Sequence, residues 1–211
     1  MDPQLLIFDL DGTLIDSRAD LAAAIDHMRG QFGLDPLPLE QVVASIGNGV
    51  RRLVEGCLQD ASVDLDAALQ IYRAYYFSHL TVHTTLYAGV EAGLHELASS
   101  GHRLAVLTNK PGEPSRTILN HFALTGLLAA VIGGGDVAGL KPAPDGVQRC
   151  LEITGMDPAS AWMIGDHCTD LEAARNAGIK SAFVQYGFGE ERAFKPDVYF
   201  ASFSELVGYF V

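Results

Sequence analysis

The first apolar run, Leu5-Leu6-Ile7-Phe8, has the length of a β-strand and stops at a polar turn. Bursts of the same kind recur at 103–107, 130–132, 161–164, 181–185 and 198–200. Between them the spacing is helical: Val90/Leu94/Leu97, Ile118/Leu119/Phe122, Val147/Leu151 and Leu171/Ala174/Arg175, the last ending at Gly178 as a C-cap. Strands alternating with helices of this length predict an α/β fold with a Rossmann-like parallel sheet wound on both faces.

The first crossover breaks that rhythm. A βαβ unit takes roughly 30 residues or somewhat more, yet the second convincing strand begins near Arg103. Ser17-Arg18-Ala19-Asp20 reads as a capping box opening a helix with Leu21, Ile25, Met28 and Phe32 on one face. After a loop at 33–38 the helical spacing resumes with Val50/Leu53/Val54/Leu58 and Leu65/Leu69/Tyr72/Tyr76. Residues 16–83 are therefore expected to form a small α-helical cap inserted into a core built from 1–15 and 84–211. The aromatic set Tyr72, Tyr75, Tyr76 and Phe77 reads as cap core.

Charge narrows the partners. With 14 basic and 26 acidic residues the chain has a formal net charge of −12, a field that repels nucleic acid and anionic membrane surfaces. Any site for a phosphate must then gather its own local positive charge. Cys57, Cys150 and Cys168 are far apart and show no metal-binding spacing, which fits a reduced protein. Asp2, Asp9 and Asp11 stand where a signal peptide would be basic and then apolar, and no apolar run reaches the length of a membrane span. A cytoplasmic protein is expected; oligomeric state is left open between monomer and homodimer.

Four polar stretches each follow a predicted strand: Asp9-Leu10-Asp11-Gly12-Thr13, Thr108-Asn109, Lys141-Pro142 behind a glycine-rich loop, and Gly165-Asp166 with Asp170 four residues on. The carboxyl ends of parallel strands share one edge of the sheet, so these stretches should converge. Together they offer a nucleophile, a proton carrier, a hydroxyl for phosphate oxygens, a cation and a further carboxylate for metal. That set suits phosphoryl transfer.

In order, spacing and residue type the four stretches resemble the haloacid dehalogenase superfamily, and the inserted helices resemble its first cap type, over essentially the whole chain. Within it the sequence is most similar to the phosphoglycolate phosphatase branch, partly through Ile46-Gly47-Asn48-Gly49-Val50-Arg51. The resemblance implies that Asp9 is the nucleophile that becomes an aspartyl phosphate. It implies that Asp11 is the acid that protonates the leaving oxygen and then the base that activates water. Dehalogenases proper lack this second acid, so Asp11 argues for a phosphatase. Gly12 and Thr13 would shape the turn beside the phosphate, Thr108 and Asn109 would bind its oxygens, and Lys141 would offset their charge. Mg²⁺ would be held by Asp9, the Asp11 carbonyl and Asp166, with Asp170 either orienting the metal or only capping its helix. His167 and Cys168 receive no role.

The expected activity is Mg²⁺-dependent hydrolysis of a small phosphorylated metabolite, phosphoglycolate first. Gly47, Asn48 and Arg51 are expected to read the part of the substrate that does not react, an arginine fork suiting a carboxylate. A phosphomutase of the β-phosphoglucomutase kind, a pyrophosphatase and a non-catalytic phosphate-binding protein are the alternatives.

Overall fold

In the computed structural model, which describes residues 2–211, the predicted strands assemble into a single parallel sheet. β1 (Leu5–Phe8) is followed by β2 (Ile15–Asp16), by four helices, α1 (Arg18–Gln31), α2 (Leu39–Val43), α3 (Val50–Gly56) and α4 (Leu65–Ser78), and by β3 (Thr85–Leu86). Then come α5 (Val90–Ser99), β4 (Arg103–Pro111), α6 (Gly112–His121), β5 (Leu128–Gly134), α7 (Asp145–Thr154), β6 (Ala161–Gly165), α8 (Cys168–Ala177), β7 (Lys180–Val184), β8 (Val198–Phe200) and α9 (Phe203–Phe210). The six-stranded sheet has the order β5-β4-β1-β6-β7-β8.

Alternation along the strands divides the interior in two. Leu6 and Phe8 of β1, Leu104 and Val106 of β4 and Trp162 and Ile164 of β6 face one apolar cluster, shared with α5, α6 and α9. Leu5, Ile7, Ala105, Leu107, Ala161 and Met163 face the other, with Val147 and Cys150 of α7 and Ala173 and Ala174 of α8. Both faces are covered, and for that reason the strands read as unbroken apolar runs.

The chain leaves β1 toward β4 on one side, while β6 lies on the other side and feeds β7. The strand order thus reverses between β1 and β6, and a crevice opens at their carboxyl ends. α1 to α4 are joined to the sheet through one short ribbon, in which Ile15 pairs with Leu86 and Asp16 with Thr85, antiparallel. Neither ribbon strand nor α2 is visible in the periodicity, each being too short to show one.

One expectation fails locally. Ser17 stands at the N-cap of α1, but its side chain makes no capping bond. Its hydroxyl donates to Asp11 Oδ1 at 2.5 Å instead, a charge-assisted bond stronger than a neutral cap. Asp20 does not reach back to Ser17; its carboxylate accepts from the His83 and Thr84 amides and the Thr84 hydroxyl. No helix among the described residues is long and apolar enough to cross a membrane.

Candidate active site

β1 ends at Phe8, and the Asp9 amide still donates to the Ile164 carbonyl of β6, so the first carboxylate is fixed by the sheet itself. The chain then folds into a tight turn in which Thr13, Leu14 and Ile15 all donate to the Leu10 carbonyl. Gly12 sits in that turn at φ 87°, and a Cβ there would overlap the Asp166 carboxylate. Thr13 is fully buried and its hydroxyl donates to Asp166 Oδ1 at 3.3 Å. Both residues therefore support Asp166 from beneath and do not line the cavity above it.

Lys141 is the hub of the buried charges. Its ammonium donates to Asp170 Oδ1 at 2.6 Å and to the Leu107 carbonyl at 2.9 Å, and lies 2.8 Å from Asp9 Oδ1. The approach to Asp9 is lateral, an ion contact that leaves this oxygen without a well-directed hydrogen bond. Asp170 Oδ2 accepts the His167 amide and closes a capping box with His167 as N-cap of α8. Asp170 thus caps its helix and grips Lys141 at once.

Acceptor atoms of Asp9, Asp166 and Asp170 lie within 4.8 Å of one another, all buried. Burial, only partly offset by Lys141, pushes Asp9 up to about 6. Burial, reinforced by the charges of Asp9 and Asp170, pushes Asp166 up to about 8, although the Gly189 and Phe188 amides donate to its Oδ2. Lys141 would be lowered by burial, but Asp170 and Asp9 outweigh that and hold it above the ordinary lysine value. Three carboxylates against one ammonium are short of positive charge. The set fits a hard divalent cation.

Above these groups is a cavity of about 420 Å³, lined by Asp9, Asp11, Thr108, Lys110 and Asp166 at its floor and by Leu21, Val43, Ile46, Leu53, Tyr72 and Tyr76 from the helical segment. Tyr72 and Tyr76 are core residues as expected and also form the cavity wall, whereas Tyr75 is half-buried and Phe77 is exposed and lines the cavity. Thr108 accepts the Lys110 amide on its hydroxyl at 3.2 Å. The Asn109 side chain is engaged by the protein: Nδ2 donates to the Gly47 and Lys141 carbonyls at 2.9 Å each, and Oδ1 accepts the Lys141 amide at 2.7 Å. It ties the Lys141 loop and the 47–49 loop to the end of β4.

The expected reading head is arranged otherwise. Arg51 projects from α3 to the surface, where it pairs with Asp66 at 3.1 Å with half of its side chain exposed, and neither it nor Asn48 lines the cavity. Gly47, at φ 103°, brings backbone against the His167 ring, 3.0 Å from where its Cβ would stand. Gly47 and Gly49 nevertheless line the cavity. The cations that do line the cavity are Arg18, Lys110 and Arg192. Lys110, two positions beyond Thr108 on the same strand, could have been found from that alternation; Arg18 and Arg192 carry no such signal.

The chain matches the family model for haloacid dehalogenase-like hydrolases over residues 6–184. It is 35% identical over 204 residues to a phosphoglycolate phosphatase of Aquifex aeolicus, covering 97% of this chain and 95% of that one. To a phosphoglycolate phosphatase of Psychrobacter arcticus it is 37% identical over 221 residues, with 99% and 96% coverage. A crystal structure described as a predicted phosphoglycolate phosphatase from Haemophilus somnus superposes with a TM-score of 0.93 at 28% identity, covering 99% of this chain and 98% of that one.

Proposed function

The chain belongs to the haloacid dehalogenase-like hydrolase family and is a phosphatase, and on that premise we propose that it hydrolyses a small phosphorylated metabolite, phosphoglycolate first, with Mg²⁺ as cofactor. The observation that carries this reading is the meeting of Asp9, Asp11, Thr108 and Asp166 on one cavity floor with Lys141 directly beneath. Relatives named for phosphoglycolate supply the choice of substrate.

Asp9 attacks phosphorus with a carboxylate oxygen, the bond from phosphorus to the leaving oxygen breaks, and Asp11 gives that oxygen its proton. Water then attacks the aspartyl phosphate, Asp11 takes the proton back, and inorganic phosphate leaves with Asp9 restored. Lys141 and the Thr108 hydroxyl offset charge on the phosphoryl oxygens. Asp9, the Asp11 carbonyl and Asp166 would hold the metal, with Asp170 steadying Lys141 and the helix behind it; the ion supplies positive charge to the nucleophile and the phosphoryl group. Residues 16–83 act as a cap that screens the cavity from bulk water. Free cysteines and a net charge of −12 suit a reducing cytoplasm and a small metabolite in place of nucleic acid or membrane.

The test is a panel of phosphorylated metabolites with Mg²⁺, ranked by kcat/KM, with phosphoglycolate expected at its head. Asp9→Asn should lower turnover by about three orders of magnitude or more with the fold intact, and chelation should abolish it. A wild-type protein inert toward every phosphomonoester overturns the reading.

A further inference from the structure

Lys110 is a buried cation on the cavity floor that the mechanism above does not use. Its side chain is 4% exposed, and its ammonium donates to Asp11 Oδ1 at 2.9 Å and to Oδ2 at 3.0 Å. The remaining face of the ammonium looks onto the Tyr76 ring of α4, 4.8 Å from the centroid. With the Ser17 hydroxyl added on Oδ1, the Asp11 carboxylate accepts on both oxygens. A carboxyl engaged in this way is held against Lys110 and Ser17 and is not turned toward a leaving oxygen in the cavity.

We propose that Lys110 is a positioning residue that clamps Asp11 until an anionic group on the leaving alcohol draws the ammonium away. The proposal rests on the reading of Asp11 as the proton carrier. When Asp11 is within reach of the ester oxygen, a carboxylate two covalent bonds from that oxygen lies beside the same ammonium. Exchange of one carboxylate for another at Lys110 keeps its charge paired while leaving Asp11 free to act. The other cations are poorly placed for this. Arg51 and Arg52 pair outward with Asp66 and Glu55, Arg18 is held by both oxygens of Asp16, and Arg192 lines the cavity without contact to Asp11. Lys110 thereby makes recognition and proton transfer one event. Because its third face rests on Tyr76, the clamp also senses the position of α4.

The experiment compares phosphoglycolate, ethyl phosphate and p-nitrophenyl phosphate with the full-length, Mg²⁺-supplied protein. Ethyl phosphate needs a proton on its leaving oxygen but has no carboxylate; nitrophenolate leaves without a proton. In the wild type, kcat for phosphoglycolate should exceed that for ethyl phosphate on the order of 30-fold or more, the scale of a charged hydrogen bond. In Lys110→Met the clamp is absent for every substrate, so that ratio should collapse to within about threefold through a rise of about tenfold in ethyl phosphate turnover relative to p-nitrophenyl phosphate. Lys110→Gln reads the same ratios if Lys110→Met does not fold. A wild-type ratio near one, or a parallel loss on all three substrates in the variant, overturns the clamp. Failure of the phosphatase reading looks different: wild type would not turn over p-nitrophenyl phosphate, or Asp9→Asn would retain that activity.

Discussion

Asp166 and Asp9 are carboxylic acids in surroundings that favour the neutral form. Burial raises Asp166 to about 8 and Asp9 to about 6. A group raised in the folded state binds more protons there than in the unfolded chain, so it stabilises below the unfolded value and loses that contribution as pH rises through the folded one. Metal-free protein should therefore lose stability as pH climbs from about 4 to about 8, read as a falling denaturation midpoint. Mg²⁺ should restore most at the alkaline end and should release protons on binding, measurable by calorimetry in buffers of different ionisation enthalpy. A metal-free midpoint that rises across that window would contradict the electrostatics described. Asp9, Asp11 and Asp166 were legible in the sequence because the end of a strand fixes where the next residue stands. Arg51 was not, because its direction depends on how α3 is rotated, and one helical step turns a side chain by about 100°. Arg51→Ala should accordingly leave kcat/KM within about twofold and stability within about 0.5 kcal/mol, as for other exposed pairs. A tenfold loss of kcat/KM would mean that the arginine swings inward during turnover.

Elements are joined at the site by Asn109 more than by any stretch of secondary structure. Its three hydrogen bonds connect the end of β4 to the Lys141 loop and to the Gly47 carbonyl. Asn109→Ala leaves the Lys141 amide and two carbonyls without these partners, at a cost of about 2–4 kcal/mol in urea unfolding. KM should rise as well, because the 47–49 loop is no longer tied to the wall of the cavity. A variant as stable as the wild type would show that water replaces the strap without penalty. Helices with clear apolar spacing, such as α4 and α7, were readable as elements, since burial of one face imposes the period. Ser17 shows why caps are less readable: the same hydroxyl can serve the helix or a nearby carboxylate, and only the fold decides which is closer. The ribbon of β2 and β3 is too short for any period, so the way the helical segment joins the sheet was invisible.

At the scale of the molecule, the parallel sheet and its two helical layers followed from the apolar bursts, but the strand order β5-β4-β1-β6-β7-β8 did not. Strands that are apolar on both faces carry little mark of which neighbour they pair with. That order nevertheless makes the site, because it places β1 and β6 side by side and aligns Asp9 with Asp166. The ribbon has a wider consequence. Asp16 and Thr85 are cross-strand partners, so to the sheet everything between them is one long loop whose ends are already tied. Closing a longer loop costs only about 0.6 kcal/mol per doubling of its length, which makes the sheet almost indifferent to what is inserted there. Replacing 17–84 with the matching segment of a relative that prefers another phosphoester should give a folded chimaera with the donor's substrate ranking and this chain's Asp9 chemistry. A folded chimaera that keeps the original ranking would place selectivity in the sheet. The two-residue ribbon is in this sense a socket: the lower half of the molecule can keep one reaction unchanged while the upper half is exchanged to meet new substrates.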